Sequence, residues 1–268
     1  MKKLIATALG LAIAINTVFY LKKLEPRDKY TPVIAKVMPA VVEIHVVGTR
    51  KERLPSNGGE EIKYLKTGLA AVLGAGAYIS SNGYILTVAH LFNDFDKIIS
   101  ITVLSPDGEE VAAKIVQVGN GIDLAIIKVD FYKKTPFVKI ASPSKLDVGQ
   151  EVIAIGSPAG LSFSVSKGII SALYRDFDGA YNVTQSDAAT NPGNSGGPPL
   201  NLDGELVGVV SFFIMVDRRF PVFTGLGFSV QCGQCIEFVT KASKVLPDLK
   251  RALFKDKWGL LCLILKGY

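Results

Sequence analysis

The chain has 268 residues, of which 49% are hydrophobic and 20% charged, enough to bury a core in one large domain or two small ones. The formal charge of +6 argues only weakly for nucleic acid, because Lys2, Lys3, Lys22 and Lys23 crowd the amino-terminal segment and no basic patch is interleaved with aromatics. Three cysteines are too few for a disulfide-built scaffold, and neither a metal nor a cofactor is expected.

The first element is the uncharged apolar run 4–21, bracketed by the two lysine pairs. Its length sits at the short end of the roughly 17–25 residues that a membrane-spanning helix needs. A cleaved signal peptide has a shorter apolar core. Ala12 and Ala14 offer a weak Ala-x-Ala match, but the run continues through Val18, Phe19 and Leu21. Residues 1–23 are therefore read as an uncleaved signal anchor. Lysines on both sides leave its orientation open. A polar linker containing Pro26 follows at 24–32.

From 33 to 135, short Val/Ile-rich runs alternate with turn signals such as Ser81-Asn82-Gly83 and Pro106-Asp107-Gly108. Inside this half, the charged stretch TRKERLPSNGGEEIKYLKTG at 49–68 reads as an exposed loop. A boundary near 133–136 opens a second strand-rich half, 136–232. The class is all-β, and two halves of five to six short strands fit two antiparallel barrels. A helical tail follows at 233–268, with one helix over 235–245 (Ile236, Val239 and Ala242 on one face) and another over 247–255. The closing run WGLLCLILKGY is too short to span a bilayer. Cys232 and Cys235 form CGQC, which alone reads as a redox pair or half a zinc site. No second Cys/His pair closes a zinc site, and no thioredoxin-like βαβ pattern surrounds it.

The segment NPGNSGGP at 191–198 carries the most chemical information. It sets Ser195 in a tight loop, with Gly193 before it and Gly196 and Gly197 after it. A serine hydroxyl becomes a nucleophile only when a base takes its proton and donors hold the oxyanion that forms. Glycines let amide N–H groups converge on one open point. Only two histidines are available as the base. His45 lies within the apolar strand-like run VVEIHVVG, whereas His90 ends YILTVAH on the lip of a loop, a better place to face a cleft. A third group must accept from the imidazole and fix its tautomer. Asp123, at the mouth of the apolar run LAIIKV, is the candidate. The resulting order, His then Asp then Ser, is that of the two-barrel serine proteases.

These segments together resemble the HtrA/Deg family of trypsin-like serine proteases. The match rests on PAVVEIHV, GAGAYISSNGYILTVAH, DLAIIKV, VIAIGSPAGLSFSVSKGIISAL, SDAATNPGNSGGPPLNLDGELVGVVS and GLGFSV, in family order over most of the chain. The resemblance implies two six-stranded barrels, with His90 and Asp123 from the first and Ser195 from the second. It implies an oxyanion hole from the backbone amides of Gly193 and Ser195, and a pocket for the residue preceding the cut lined by Ala188, Ala189 and Thr190. Ser211, Phe212 and Phe213 resemble the strand that pairs with the substrate backbone by β-augmentation. The uncharged lining implies preference for small apolar residues such as Val, Ala or Ile. Substrates are then unfolded or damaged extracytoplasmic polypeptides, the chain is a candidate homotrimer, and nucleic acid is not a partner. Asn194, where many secreted relatives place an aspartate, implies no activation by a freshly cut amino terminus. Many relatives continue into PDZ domains after the barrels, and this tail shows no such pattern. Val88-Ala89 and Pro199 depart from the commonest family wording without removing a catalytic atom. A non-hydrolytic, chaperone-like binding protein on the same fold is the competing reading.

Overall fold

A computed structural model describes residues 28–53, 64–130, 134–177, 179–217 and 220–258. The anchor expected at 1–23 and the apolar run expected after Trp258 lie outside these residues. Among the described residues no helix is long and apolar enough to cross a membrane.

The described chain opens on a helix, α1 (Thr31–Val37), where the sequence suggested the first strands. Asp28 dictates the turn: its carboxylate accepts from the N–H groups of Tyr30 and Thr31, both at 2.7 Å, and from the Thr31 hydroxyl. Pro32 then supplies a helical φ where no intrahelical donor is needed. The Tyr30 hydroxyl and the Lys29 ammonium both reach the Glu151 carboxylate, fastening this segment to the second half of the molecule.

Six strands close into an antiparallel barrel: β1 (Val41–Arg53), β2 (Tyr64–Tyr78), β3 (Tyr84–Thr87), β4 (Lys97–Leu104), β5 (Glu110–Val118) and β6 (Ala125–Val129), in the order β1-β2-β3-β6-β5-β4. All four residues of β3 are buried, as are four of the five in β6. Strands covered on both faces read as unbroken apolar runs, which is why YILT and AIIKV show no alternation. Part of the charged stretch expected as a loop is strand: β1 and β2 keep pairing outward through Thr49↔Leu69, Lys51↔Thr67 and Arg53↔Tyr64. The ladder satisfies backbone donors and acceptors there.

The second half is a six-stranded sheet of β7 (Glu151–Gly156), β8 (Ser164–Phe177), β9 (Ala180–Ser186), β10 (Pro199–Leu200), β11 (Gly208–Asp217) and β12 (Phe220–Gln231), ordered β10-β7-β8-β9-β12-β11. The sequence pointed to a second closed or nearly closed barrel, and among the described residues the strand ladder does not join β10 to β11. That gap is crossed by backbone bonds from Val207 N–H to the Pro199 carbonyl at 2.9 Å, from Gly196 N–H to the Val210 carbonyl at 2.7 Å and from Val210 N–H to the Gly197 carbonyl at 3.0 Å. Pro199 contributes to the shortness of β10, because it has no N–H to extend the ladder.

Two helices close the described chain, α3 (Cys232–Val245) and α4 (Pro247–Lys255), after the single turn α2 (His90–Asn93) between β3 and β4. Ile236, Val239 and Ala242 share the buried face of α3, as their spacing predicts. Past α4, Asp256 accepts from the Ser81 N–H at 2.8 Å and the Ser81 hydroxyl at 2.7 Å, pinning the tail to the β2–β3 turn. Cys232 and Cys235 are free and buried beneath the sheet. Burial pushes the Cys232 thiol up to about 12 and raises Cys235 well above its ordinary value, which makes both poor nucleophiles.

Candidate active site

His90 opens α2 directly after β3, and Asp123 sits two residues before β6, the neighbour of β3 in the barrel. That adjacency brings together side chains 33 positions apart. Asp123 grips His90 twice: Oδ1 accepts from the backbone N–H at 2.9 Å and Oδ2 meets Nδ1 at 2.8 Å. With Nδ1 engaged, Nε2 is the ring nitrogen left to exchange a proton. Burial pushes the Asp123 carboxyl's pKa up, but the bond and charge of His90 and the Ser211 hydroxyl outweigh it and hold it below the usual value.

Ser195 reaches the same cleft from the other half. Two successive turns build its loop, with Asn194 N–H donating to Asn191 O at 3.0 Å and Gly197 N–H to Asn194 O at 2.9 Å. The loop docks on the first barrel through Ala75 N–H, which donates to the Ser195 carbonyl at 2.8 Å. Two glycines make that docking possible. At Gly196, φ is +87° and a Cβ would stand 2.1 Å from both the Ala75 carbonyl oxygen and Thr87 Oγ1. At Gly193, φ is +100° and a Cβ would stand 2.0 Å from the Ser157 carbonyl oxygen. No other residue type fits either place without displacement.

Among the described residues, the N–H groups of Gly193 and Ser195 donate to no acceptor, while those of Asn194, Gly196 and Gly197 are all engaged. The two vacant donors belong to the residue whose hydroxyl is the candidate nucleophile and to the glycine two positions before it. The Ser195 hydroxyl itself points to the Ser211 carbonyl at 3.4 Å and makes no hydrogen bond to His90.

Ser211 takes a place that sequence reasoning missed. Its hydroxyl donates to Asp123 Oδ2 at 2.5 Å, the oxygen that also holds His90, and its carbonyl faces Ser195. The signal available was a lone hydroxyl in the apolar run GVVSFF. Phe212 stacks on Phe228, with centroids 4.9 Å apart, and Phe177 lies over Phe228 at 5.2 Å. The side chain of Phe213 is outside the described residues. Ala188 and Thr190 are buried and Ala189 is exposed. The Thr190 hydroxyl donates to the Ala188 carbonyl at 3.1 Å, and Gly227 approaches it so closely that a Cβ would lie 2.8 Å away. Asn194 is buried and donates from Nδ2 to the Ala189 carbonyl at 3.3 Å, tying this segment to the Ser195 loop. A cavity of about 460 Å³ borders Asp123, Ser211 and Phe212.

The trypsin-like peptidase domain model matches residues 74–209, which include His90, Asp123 and Ser195. The chain is 42% identical over 177 residues to a probable periplasmic serine endoprotease DegP-like of Pseudomonas putida, covering 65% of this chain and 36% of that protein. It is 36% identical over 194 residues to the periplasmic pH-dependent serine endoprotease DegQ of Escherichia coli, covering 69% and 42%. It thus spans a third to under half of the length of these curated relatives. Among solved structures, the HtrA-type protease AlgW with tripeptide superimposes with a TM-score of 0.65 at 28% identity, over 80% of this chain and 63% of that one. Fold, matched domain and relatives agree: the chain belongs to the trypsin-like peptidases of the HtrA/Deg type.

Proposed function

We propose that the chain is a serine endopeptidase in which His90, Asp123 and Ser195 act as a triad. The carrying observation is the double grip of Asp123 on His90, linked through Ser211 to Ser195, whose own N–H and that of Gly193 are vacant donors. Ser195 Oγ attacks the scissile carbonyl while His90 Nε2 takes its proton. The N–H groups of Gly193 and Ser195 receive the oxyanion, and Asp123 stabilises the imidazolium. The C–N bond breaks as His90 returns the proton to the leaving amine. Water then attacks the acyl-enzyme through the same base, releasing the acid and restoring Ser195.

The proposed substrates are unfolded or damaged extracytoplasmic polypeptides, cut after small apolar residues. The absence of a carboxylate at Ala188, Ala189 and Thr190 supports this, as do the periplasmic relatives. Residues 1–23 would tether the enzyme to the membrane. Ser211, Phe212 and Phe213 would pair with the peptide backbone, and a homotrimer is the assembly that the family resemblance implies. The test compares casein cleavage and fluorophosphonate labelling by the full-length chain and its Ser195→Ala variant, in detergent. Cleavage and labelling that both vanish in the variant support the proposal. A wild type that binds casein but neither cleaves it nor labels would establish the binding-protein reading instead. Preference for cutting after Arg or Lys in a peptide library would refute the proposed specificity.

A further inference from the structure

Thr87 is the last residue of β3 and is wholly buried. It precedes His90 by three positions and pairs across the ladder with Ala125, two positions after Asp123. A hydroxyl shut away from water needs a partner. Thr87 finds one by donating from Oγ1 to the Ala75 carbonyl at 2.7 Å.

Ala75 lies where β2 outruns β3, since the ladder between those strands stops at Ala77↔Leu86. Past that point other groups must satisfy the edge of β2. The Ala75 carbonyl accepts from Thr87, and the Ala75 N–H donates to the Ser195 carbonyl at 2.8 Å. The same Ser195–Gly196 peptide is held at its other end, where the Gly196 N–H donates to the Val210 carbonyl at 2.7 Å. Thr87 also touches the loop directly. A Cβ on Gly196 would stand 2.1 Å from both the Ala75 carbonyl oxygen and Thr87 Oγ1. Donor and acceptor of the Thr87 hydrogen bond thus form one seat for the bare Cα of Gly196. One hydroxyl ties the strand that delivers His90 to the peptide that follows Ser195.

We propose that Thr87 is a positioning residue, whose hydroxyl holds Ala75 and Gly196 together and so sets the distance of Ser195 from His90. This inference rests on the hydrolase reading above, because it assigns a purpose to that distance. A methyl carbon keeps about 3.3 Å or more from a carbonyl oxygen. Exchanging the hydroxyl for a methyl therefore pushes β2 and the Ser195 loop apart, although the side chain keeps its shape.

The test uses the full-length chain in detergent as wild type, Thr87→Ser, Thr87→Ala and Thr87→Val. Its readouts are kcat and KM on a peptide that wild type cleaves, the rate of fluorophosphonate labelling, and Tm. Thr87→Ser keeps the hydroxyl and loses a buried methyl, so Tm should fall while kcat stays within about threefold of wild type. Thr87→Ala and Thr87→Val lose the hydroxyl. Both should lower kcat and labelling rate roughly tenfold or more, with KM within about twofold, as misplacement of a reacting group requires. Rates measured well below each Tm separate placement from folding. Thr87→Ala adds no atom, so the question stays answerable if Thr87→Val fails to fold. Wild-type kcat in Thr87→Ala, or a loss in Thr87→Ser as large as in Thr87→Ala, would overturn the proposal and leave Thr87 a packing residue. A wild type that neither cleaves nor labels would instead sink the hydrolase reading, and this inference with it.

Discussion

Ser211 and His90 share one oxygen of Asp123: the serine hydroxyl donates to Oδ2 at 2.5 Å, and the imidazole Nδ1 meets the same atom at 2.8 Å. The second half of the molecule thus reaches into the first to help fix its carboxylate. Hydrogen bonds to charged groups contribute about 1.5–3 kcal/mol. Ser211→Ala should therefore lower kcat by roughly tenfold or more, with KM little changed. Steady-state kinetics on a peptide substrate decide it. An unchanged kcat would show that His90 alone suffices to orient the carboxylate.

Asp123→Asn preserves shape and removes the charge that selects the imidazole tautomer. In a serine-protease triad of this type such a change lowers kcat by about 10⁴. A comparable loss is expected here, and a loss of less than about a hundredfold would argue against the assigned base.

Acid should act on stability through the same group. The folded Asp123 carboxyl titrates below its ordinary value. Its contribution is therefore complete above the unfolded carboxylate range and is lost as pH falls through the folded value. Wild type should exceed Asp123→Asn in Tm near neutrality, and the two should converge below about pH 4. A gap in Tm that stays constant across that range would contradict the shift.

Gly196→Ala tests the seam between the halves. The added methyl would meet the Ala75 carbonyl oxygen and Thr87 Oγ1 at 2.1 Å, on a backbone with φ +87°. Strain and overpacking together should destabilise the fold by about 3 kcal/mol or more, read from the denaturant midpoint.

The CGQC thiols should be silent. With Cys232 raised to about 12 and Cys235 buried beneath the sheet, iodoacetamide should modify neither residue in the native protein, as peptide mass spectrometry would show. Rapid native modification of Cys235 would reopen a redox role for this pair.

Local chemistry made much of this protein legible in its sequence. The runs YILT and AIIKV declare themselves as buried strands, Ile236, Val239 and Ala242 mark the inner face of a helix, and NPGNSGGP marks the loop of Ser195. Only two histidines competed for the role of base, and placement at a strand end favoured His90. Tertiary structure alone decided which groups meet. Ser211 acts on an aspartate 88 positions away, through the pairing order of two separate sheets. Thr87 reads as one more strand residue until the Ser195 loop seats against its hydroxyl. The strand continuing into 49–53 and the seam between β10 and β11 depend on pairing partners that no single segment encodes. Propensity and periodicity act over a few neighbouring residues, whereas contacts across the cleft exist only after the chain has closed upon itself.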